Sequence, residues 1–233
     1  MTIKLAPKQV LIALDINSLD EATNLLSLLD KDLFRLKVGK QLFTSEGPAA
    51  VEKLIGMGFD VFLDLKLHDI PNTVSKALVN ISNMGVWMTN IHLTGGKEMI
   101  EESVSAIRSK GSKTILIGVS LLTSLDNDNL KEIGFKRNAE DLVIDLAKMG
   151  DESKIDGVVC SINDVSGIKS RFGSDFITVT PGVRMSQEKG DQKRSGSMYD
   201  AIKFGSDYVV LGRELTQSNK PSEVIKKLEN LIQ

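Results

Sequence analysis

Eight short runs rich in apolar and β-branched residues recur along the chain: Val10 to Leu14, Leu33 to Val38, Val61 to Leu67, Met88 to Leu93, Thr114 to Val119, Gly157 to Ser161, Phe176 to Thr180, and Tyr208 to Leu211. Amphipathic stretches with helical spacing lie between them, such as Ala22, Leu25, Leu26 and Leu29, then Ala49, Val51, Leu54 and Ile55. Strands that are apolar almost throughout, rather than at every second position, are covered on both faces, as in a parallel sheet. Eight strand–helix units in 233 residues favour a closed TIM (β/α)8 barrel, one α/β domain over residues 1–233. An open doubly wound sheet is the alternative with the same pattern. Ser18 before the first helix and Pro48, Pro71 and Pro221 at the openings of later ones are N-terminal helix signals. No repeat, low-complexity tract or interdomain linker interrupts the pattern.

Composition narrows the function. A hydrophobic share of 41% and a charged share of 26% are those of a soluble globular protein, and no apolar run approaches a membrane span. The first eight residues enter the first strand without a signal-peptide core, so a cytoplasmic location is expected. Lysine and arginine (29) nearly balance aspartate and glutamate (31), so no global field argues for nucleic acid or an anionic membrane. The single cysteine, Cys160, lies in an apolar run and reads as a small buried residue rather than a nucleophile. A small-molecule partner is expected.

In such a barrel the strand C-terminal ends converge on one mouth. The residues at or just after those ends are Asp15, Lys37, Asp64 with Lys66, His92 with Thr94, Ser120, Ser161, Thr180, and Gly212 with Arg213. The segment Asp64-Leu65-Lys66-Leu67-His68-Asp69-Ile70-Pro71-Asn72-Thr73 is the most unusual. If Val61 to Leu67 is a strand, alternation puts Asp64 and Lys66 on one face and Leu63, Leu65 and Leu67 on the other. Asp15, Lys37, Asp64 and Lys66 then form an alternating charge network. Taken pair by pair, the same residues also read as stabilising salt bridges. Flanking carboxylates stabilise the ammonium form of Lys66, which suits it to act as an acid and not as an imine-forming nucleophile. Asp64 and Asp69 would also suit magnesium, but a lysine between them competes for the same charge, so no metal is expected.

Gly212-Arg213 follows the eighth strand, where these barrels commonly bind phosphate; a solvated turn is the plainer reading of the pair alone. The two segments expected as long loops are Leu122 to Arg137 and Gly182 to Gly196, and the second, with Arg184 and Gln192, reads either as a closing lid or as an exposed loop. His68 and His92 have no metal-ligand spacing, and Trp87, Met84 and Met88 read as core or interface residues. No GxGxxG, P-loop or flavin signature is present, so no nucleotide cofactor is expected.

The combined pattern resembles the bacterial-type orotidine 5′-monophosphate decarboxylases. It is carried by Leu14-Asp15, Leu36-Lys37-Val38-Gly39, the segment from Asp64 to Thr73, Pro181-Gly182-Val183-Arg184, Asp191-Gln192-Lys193-Arg194 and Leu211-Gly212-Arg213, and it spans nearly the whole chain. The resemblance implies a carboxy-lyase that converts orotidine 5′-monophosphate to uridine 5′-monophosphate (UMP) without a cofactor, the last step of de novo pyrimidine synthesis. It also implies a homodimer in which Asp69, Ile70 and Thr73 reach the neighbouring subunit's site, so that Lys37, Asp64, Lys66 and the partner-supplied carboxylate form a catalytic tetrad. By the same resemblance Asp15 and Lys37 hold ribose, Thr123 the pyrimidine ring, and Arg184, Gln192, Gly212 and Arg213 the phosphate side, with Pro181 a further substrate-binding residue. A magnesium-dependent sugar-phosphate decarboxylase or hexulose-phosphate synthase with a similar Asp-x-Lys-x-x-Asp pattern is the alternative enzyme. A phosphate-binding barrel without turnover is the non-enzyme alternative.

Overall fold

The computed structural model describes residues 4–109, 111–185 and 196–232. The chain runs through β1 (Val10–Leu14), β2 (Phe34–Gly39), β3 (Val61–Leu67), β4 (Met88–His92), β5 (Ile115–Val119), β6 (Gly157–Val159), β7 (Ile177–Pro181), a two-residue pair β8 (Val183–Arg184) and β9 (Gly196–Ser197), and β10 (Tyr208–Leu211). Eight of these strands close into a parallel barrel in the order β1-β10-β7-β6-β5-β4-β3-β2. Closure is made by β1, where Val10 pairs with Phe34 on one side and Val209 on the other. The open-sheet alternative is thereby excluded.

The outer layer comprises α1 (Leu19–Leu28), α2 (Lys40–Glu46), α3 (Pro48–Gly56), α4 (Pro71–Asn83), α5 (Lys97–Arg108), α6 (Asn127–Glu132), α7 (Ala139–Glu152), α8 (Val165–Phe172), α9 (Met198–Lys203), α10 (Arg213–Thr216) and α11 (Pro221–Glu229). Ser18 caps α1 by accepting from the Glu21 N–H, and prolines open α3, α4 and α11. The apolar stripe of α3 is Ala50, Val51 and Leu54, one position off the expected phase at its start, since Ala49 faces solvent. The expected loop from 122 to 137 contains α6, started by a capping box between Asp126 and Asn129. The sixth strand is shorter than expected because the Ser161 N–H turns to the Asp164 carboxylate at 3.1 Å.

Alternation along the strands makes two cores. One set of side chains, including Val10, Ile12, Leu36, Val38 and Leu63, packs outward against the helices. The other, including Leu11, Phe62, Met88, Ile117, Val179 and Val210, fills the barrel. Each fully buried residue of this size contributes roughly 1.5–3 kcal/mol. At the N-terminal end the Arg35 guanidinium lies 3.9 Å from the Trp87 ring centroid, and Trp87 meets Tyr208 edge-on at 5.0 Å. These side chains close the barrel interior at that end, and the strand C-termini form an open mouth at the other. Among the described residues no helix is long and apolar enough to cross a membrane.

Candidate active site

The charge network predicted from strand ends is assembled at the mouth. Lys66 Nζ lies 2.6 Å from Asp64 Oδ1, and Lys37 Nζ lies 3.5 Å from Asp64 Oδ2 and 3.2 Å from Asp15 Oδ1. The side chains of Asp64 and Lys37 are only 10% and 11% exposed, whereas Lys66 at 27% retains access to the cavity. Gly39 keeps this corner open, because an added Cβ would lie 3.2 Å from Lys37 Nζ and 3.3 Å from Asp15 Oδ1.

Burial desolvates the Asp64 carboxylate and by itself would raise its pKa. The positive charges of Lys37 and Lys66, with hydrogen bonds from Lys66 and Asn90, outweigh that penalty and hold the group below its ordinary 3.8. Asp64 is thus an anion across the working pH range, and the lysine beside it has a fixed counter-charge. His92 behaves oppositely. Burial, followed by the charges of His68, Lys66 and Lys40, lowers its pKa from 6.5 to about 4, so the ring is neutral at neutral pH.

Regular alternation does not fully describe β3. Asp64 and Lys66 do meet, but Lys66 has φ of +52°, and the β3–β4 register shifts between Leu63 and Leu67. A bulge therefore aims the lysine, as bulges commonly do beside active sites.

The mouth encloses a cavity of about 690 Å3, within the range typical of small-molecule sites. Its floor is apolar, from Ala13, Val119, Val159 and Val210. One wall carries Asp15, Lys37, Asp64 and Lys66, and the rim carries Thr123, Pro181, Arg184, Gly212 and Arg213. An apolar floor, an ammonium against a buried carboxylate and two arginines can hold an anionic ligand and deliver a proton to it.

Nine of the sequence-predicted residues are therefore gathered on one cavity. Asp69, Ile70 and Thr73 are exposed and do not line it, and the Asp69 carboxylate accepts from the Ile70 N–H at 2.7 Å. Gln192 lies outside the described residues. Ser120, Ser161 and Thr180 are not among the lining residues: they hydrogen-bond to the Val159 carbonyl, the Asp164 carboxylate and the Ser206 hydroxyl. Sequence reasoning missed Glu214, which accepts from the Met185 N–H at 2.8 Å, and Leu121 and Leu122 on the lining. It also missed Asn90 in the middle of β4, where Thr89 and His92 are polar too and polarity alone did not set it apart.

The chain as a whole has counterparts among known proteins. A sequence profile described as the "Orotidine 5'-phosphate decarboxylase / HUMPS family" matches residues 8–228. A Pseudoalteromonas translucida protein named orotidine 5'-phosphate decarboxylase is 46% identical over 228 residues, covering 97% of each chain. A Teredinibacter turnerae protein of the same name is 45% identical over 226 residues, again with 97% of both chains covered. The crystal structure of orotidine 5'-phosphate decarboxylase from Lactobacillus acidophilus superposes with a TM-score of 0.84 at 32% identity, over 96% of this chain and 98% of that one. With the barrel, the profile and the full-length relatives in agreement, the chain belongs to the orotidine 5'-phosphate decarboxylase / HUMPS family.

Proposed function

We propose that the protein decarboxylates orotidine 5′-monophosphate to UMP and CO2 without a cofactor, as the last step of de novo pyrimidine synthesis. The observation that carries this reading is the Lys66 ammonium held 2.6 Å from the buried Asp64 carboxylate on the cavity wall. A substrate carboxylate placed beside Asp64 meets a fixed negative charge. Breaking its bond to C6 releases CO2 and leaves the electron pair on C6, where the Lys66 ammonium stabilises it and donates the proton that completes UMP. Solvent then reprotonates Lys66.

The remaining assignments rest on the family resemblance, and the cavity lining is compatible with them. Asp15 and Lys37 hold the ribose, Thr123 faces the base, and Arg184, Gly212 and Arg213 take the phosphate, with Gln192 joining them by sequence pattern and Pro181 on the same rim. Arginine offers the planar fork that phosphate accepts, and Gly212 presents bare backbone to the cavity, an added Cβ there meeting only Ala13 and Asp15 at about 4 Å.

The working unit in this reading is a homodimer. Asp69, Ile70 and Thr73 follow β3 directly yet do not line their own cavity, and Ile70, at 65%, is the most exposed large apolar side chain among the described residues. Their proposed destination is the site of a second copy, where Asp69 adds a second carboxylate beside Lys66. Both nucleotides carry a phosphate that does not cross membranes unaided, which supports a cytoplasmic reaction.

The loss of orotidine 5′-monophosphate absorbance, followed with and without EDTA, tests the proposal. Turnover indifferent to chelator is expected. Sugar-phosphate turnover lost to EDTA and restored by magnesium would support the alternative enzyme, and nucleotide binding without CO2 release would leave only a binding barrel.

A further inference from the structure

Asn90 lies on β4 with no exposed surface and makes two hydrogen bonds into the β3 bulge. Its Oδ1 accepts from the Lys66 backbone N–H at 2.8 Å, and its Nδ2 donates to Asp64 Oδ1 at 2.7 Å. The orientation of the amide follows from its partners, because a backbone N–H is only a donor and an ionised carboxylate only an acceptor. The pairing explains why an amide is needed. Leu63 pairs with Thr89 and Leu67 with Ile91, so β3 advances four residues while β4 advances two. The Asp64-Leu65-Lys66 stretch thus faces Asn90 alone, and the Lys66 N–H loses a ladder partner just where its φ is +52°. The Asn90 side chain replaces that partner and uses its other arm to fix the carboxylate that Lys66 contacts.

We propose that Asn90 is a positioning residue for the decarboxylation: it clips the β3 bulge so that the Lys66 ammonium and the Asp64 carboxylate share one orientation toward the substrate. The inference rests on the reading of Lys66 as proton donor. Asparagine is the small side chain whose fork suits both demands. Aspartate accepts from Lys66 but sets a second carboxylate against Asp64, and alanine leaves a buried N–H without a partner.

The test is steady-state kinetics on four purified variants, with folding checked by circular dichroism and thermal melting. Asn90→Ala is expected to lower kcat by about 10²-fold through misplacement of the donor, while KM changes by less than about threefold, since the ribose and phosphate contacts stay. Asn90→Asp is expected to lower kcat and to move the acid limb of its pH profile upward, because one of two adjacent carboxylates must take up a proton. Thr89→Val is the control: it removes the neighbouring β3–β4 contact, Thr89 Oγ1 to the Leu63 carbonyl at 3.0 Å, and should leave kcat within about twofold. Lys66→Ala separates the two ideas. If Lys66→Ala is inactive while Asn90→Ala keeps wild-type kcat, the positioning role is wrong and the proton-donor reading stands; if Lys66→Ala is active, the proton-donor reading itself fails. Equal losses in the Thr89 and Asn90 variants, or failure of both Asn90 variants to fold, would make Asn90 a structural residue and overturn the proposal.

Discussion

The backbone of Lys66 stores strain that can be measured. Its φ of +52° is a left-handed conformation, which costs a residue bearing a Cβ roughly 1–2 kcal/mol. Glycine adopts it freely but enters the folded state with about 0.5–1 kcal/mol more conformational entropy to lose. Lys66→Ala and Lys66→Gly remove the same ammonium and leave the same Asp64 contacts with Lys37 and Asn90, so subtracting one from the other isolates the backbone. The glycine variant should be the more stable by about 0.5–1 kcal/mol. For a chain of this size each kcal/mol moves the melting midpoint by roughly 2–4 °C, so a difference of about 1–4 °C is expected in paired thermal melts, with urea midpoints in the same order. An alanine variant equal to or more stable than the glycine variant would show that Lys66 is not strained, and the bulge geometry that aims it would lose its physical basis.

Other outcomes follow from the same geometry. Gly39→Ala places a methyl 3.2 Å from Lys37 Nζ on backbone (φ −94°) that any residue can adopt, so the cost falls on the lysine: KM should rise about tenfold with the fold intact, and an unchanged KM would refute this. Asp64→Asn leaves two ammonium groups against a neutral amide and should cost about 3 kcal/mol, or roughly 6–12 °C; a variant as stable as wild type would mean the pair is not buried in effect. His92 has a folded-state pKa of about 4 against an unfolded 6.5, so the unfolded chain takes up a proton first as pH falls. Its contribution is complete above 6.5 and declines toward 4, and His92→Gln should flatten the fall in urea midpoint between pH 7 and pH 5. An unaltered slope would place the acid sensitivity elsewhere.

The fold was legible where burial on both faces makes the signal unambiguous. Val10–Leu14, Val61–Leu67 and Tyr208–Leu211 are strands with the bounds read from their apolar runs, and Ser18, Pro48, Pro71 and Pro221 mark helix starts for reasons local to each residue. The charge cluster was legible because successive strand ends of a parallel barrel reach one place. The bulge was not, since alternation assumes a regular pleat and the two extra residues in β3 preserve its phase. Asn90 was hidden for the same reason: its role exists only once β4 is laid beside an irregular β3. The helix within 122–137 was read as loop because Asp126 and Asn129 raise polarity, although together they form a capping box.

The central claim is that Lys66 and Asp69 complete one site from two copies of the chain. Lys66→Ala and Asp69→Ala, each expected to be inactive alone, should regain activity after mixing and subunit exchange. In a two-fold dimer with random reassortment, half of the dimers are mixed and each has one intact site, so about a quarter of wild-type turnover should return. Exchanged dimers, verified by differential tagging, that remain inactive would contradict the shared site.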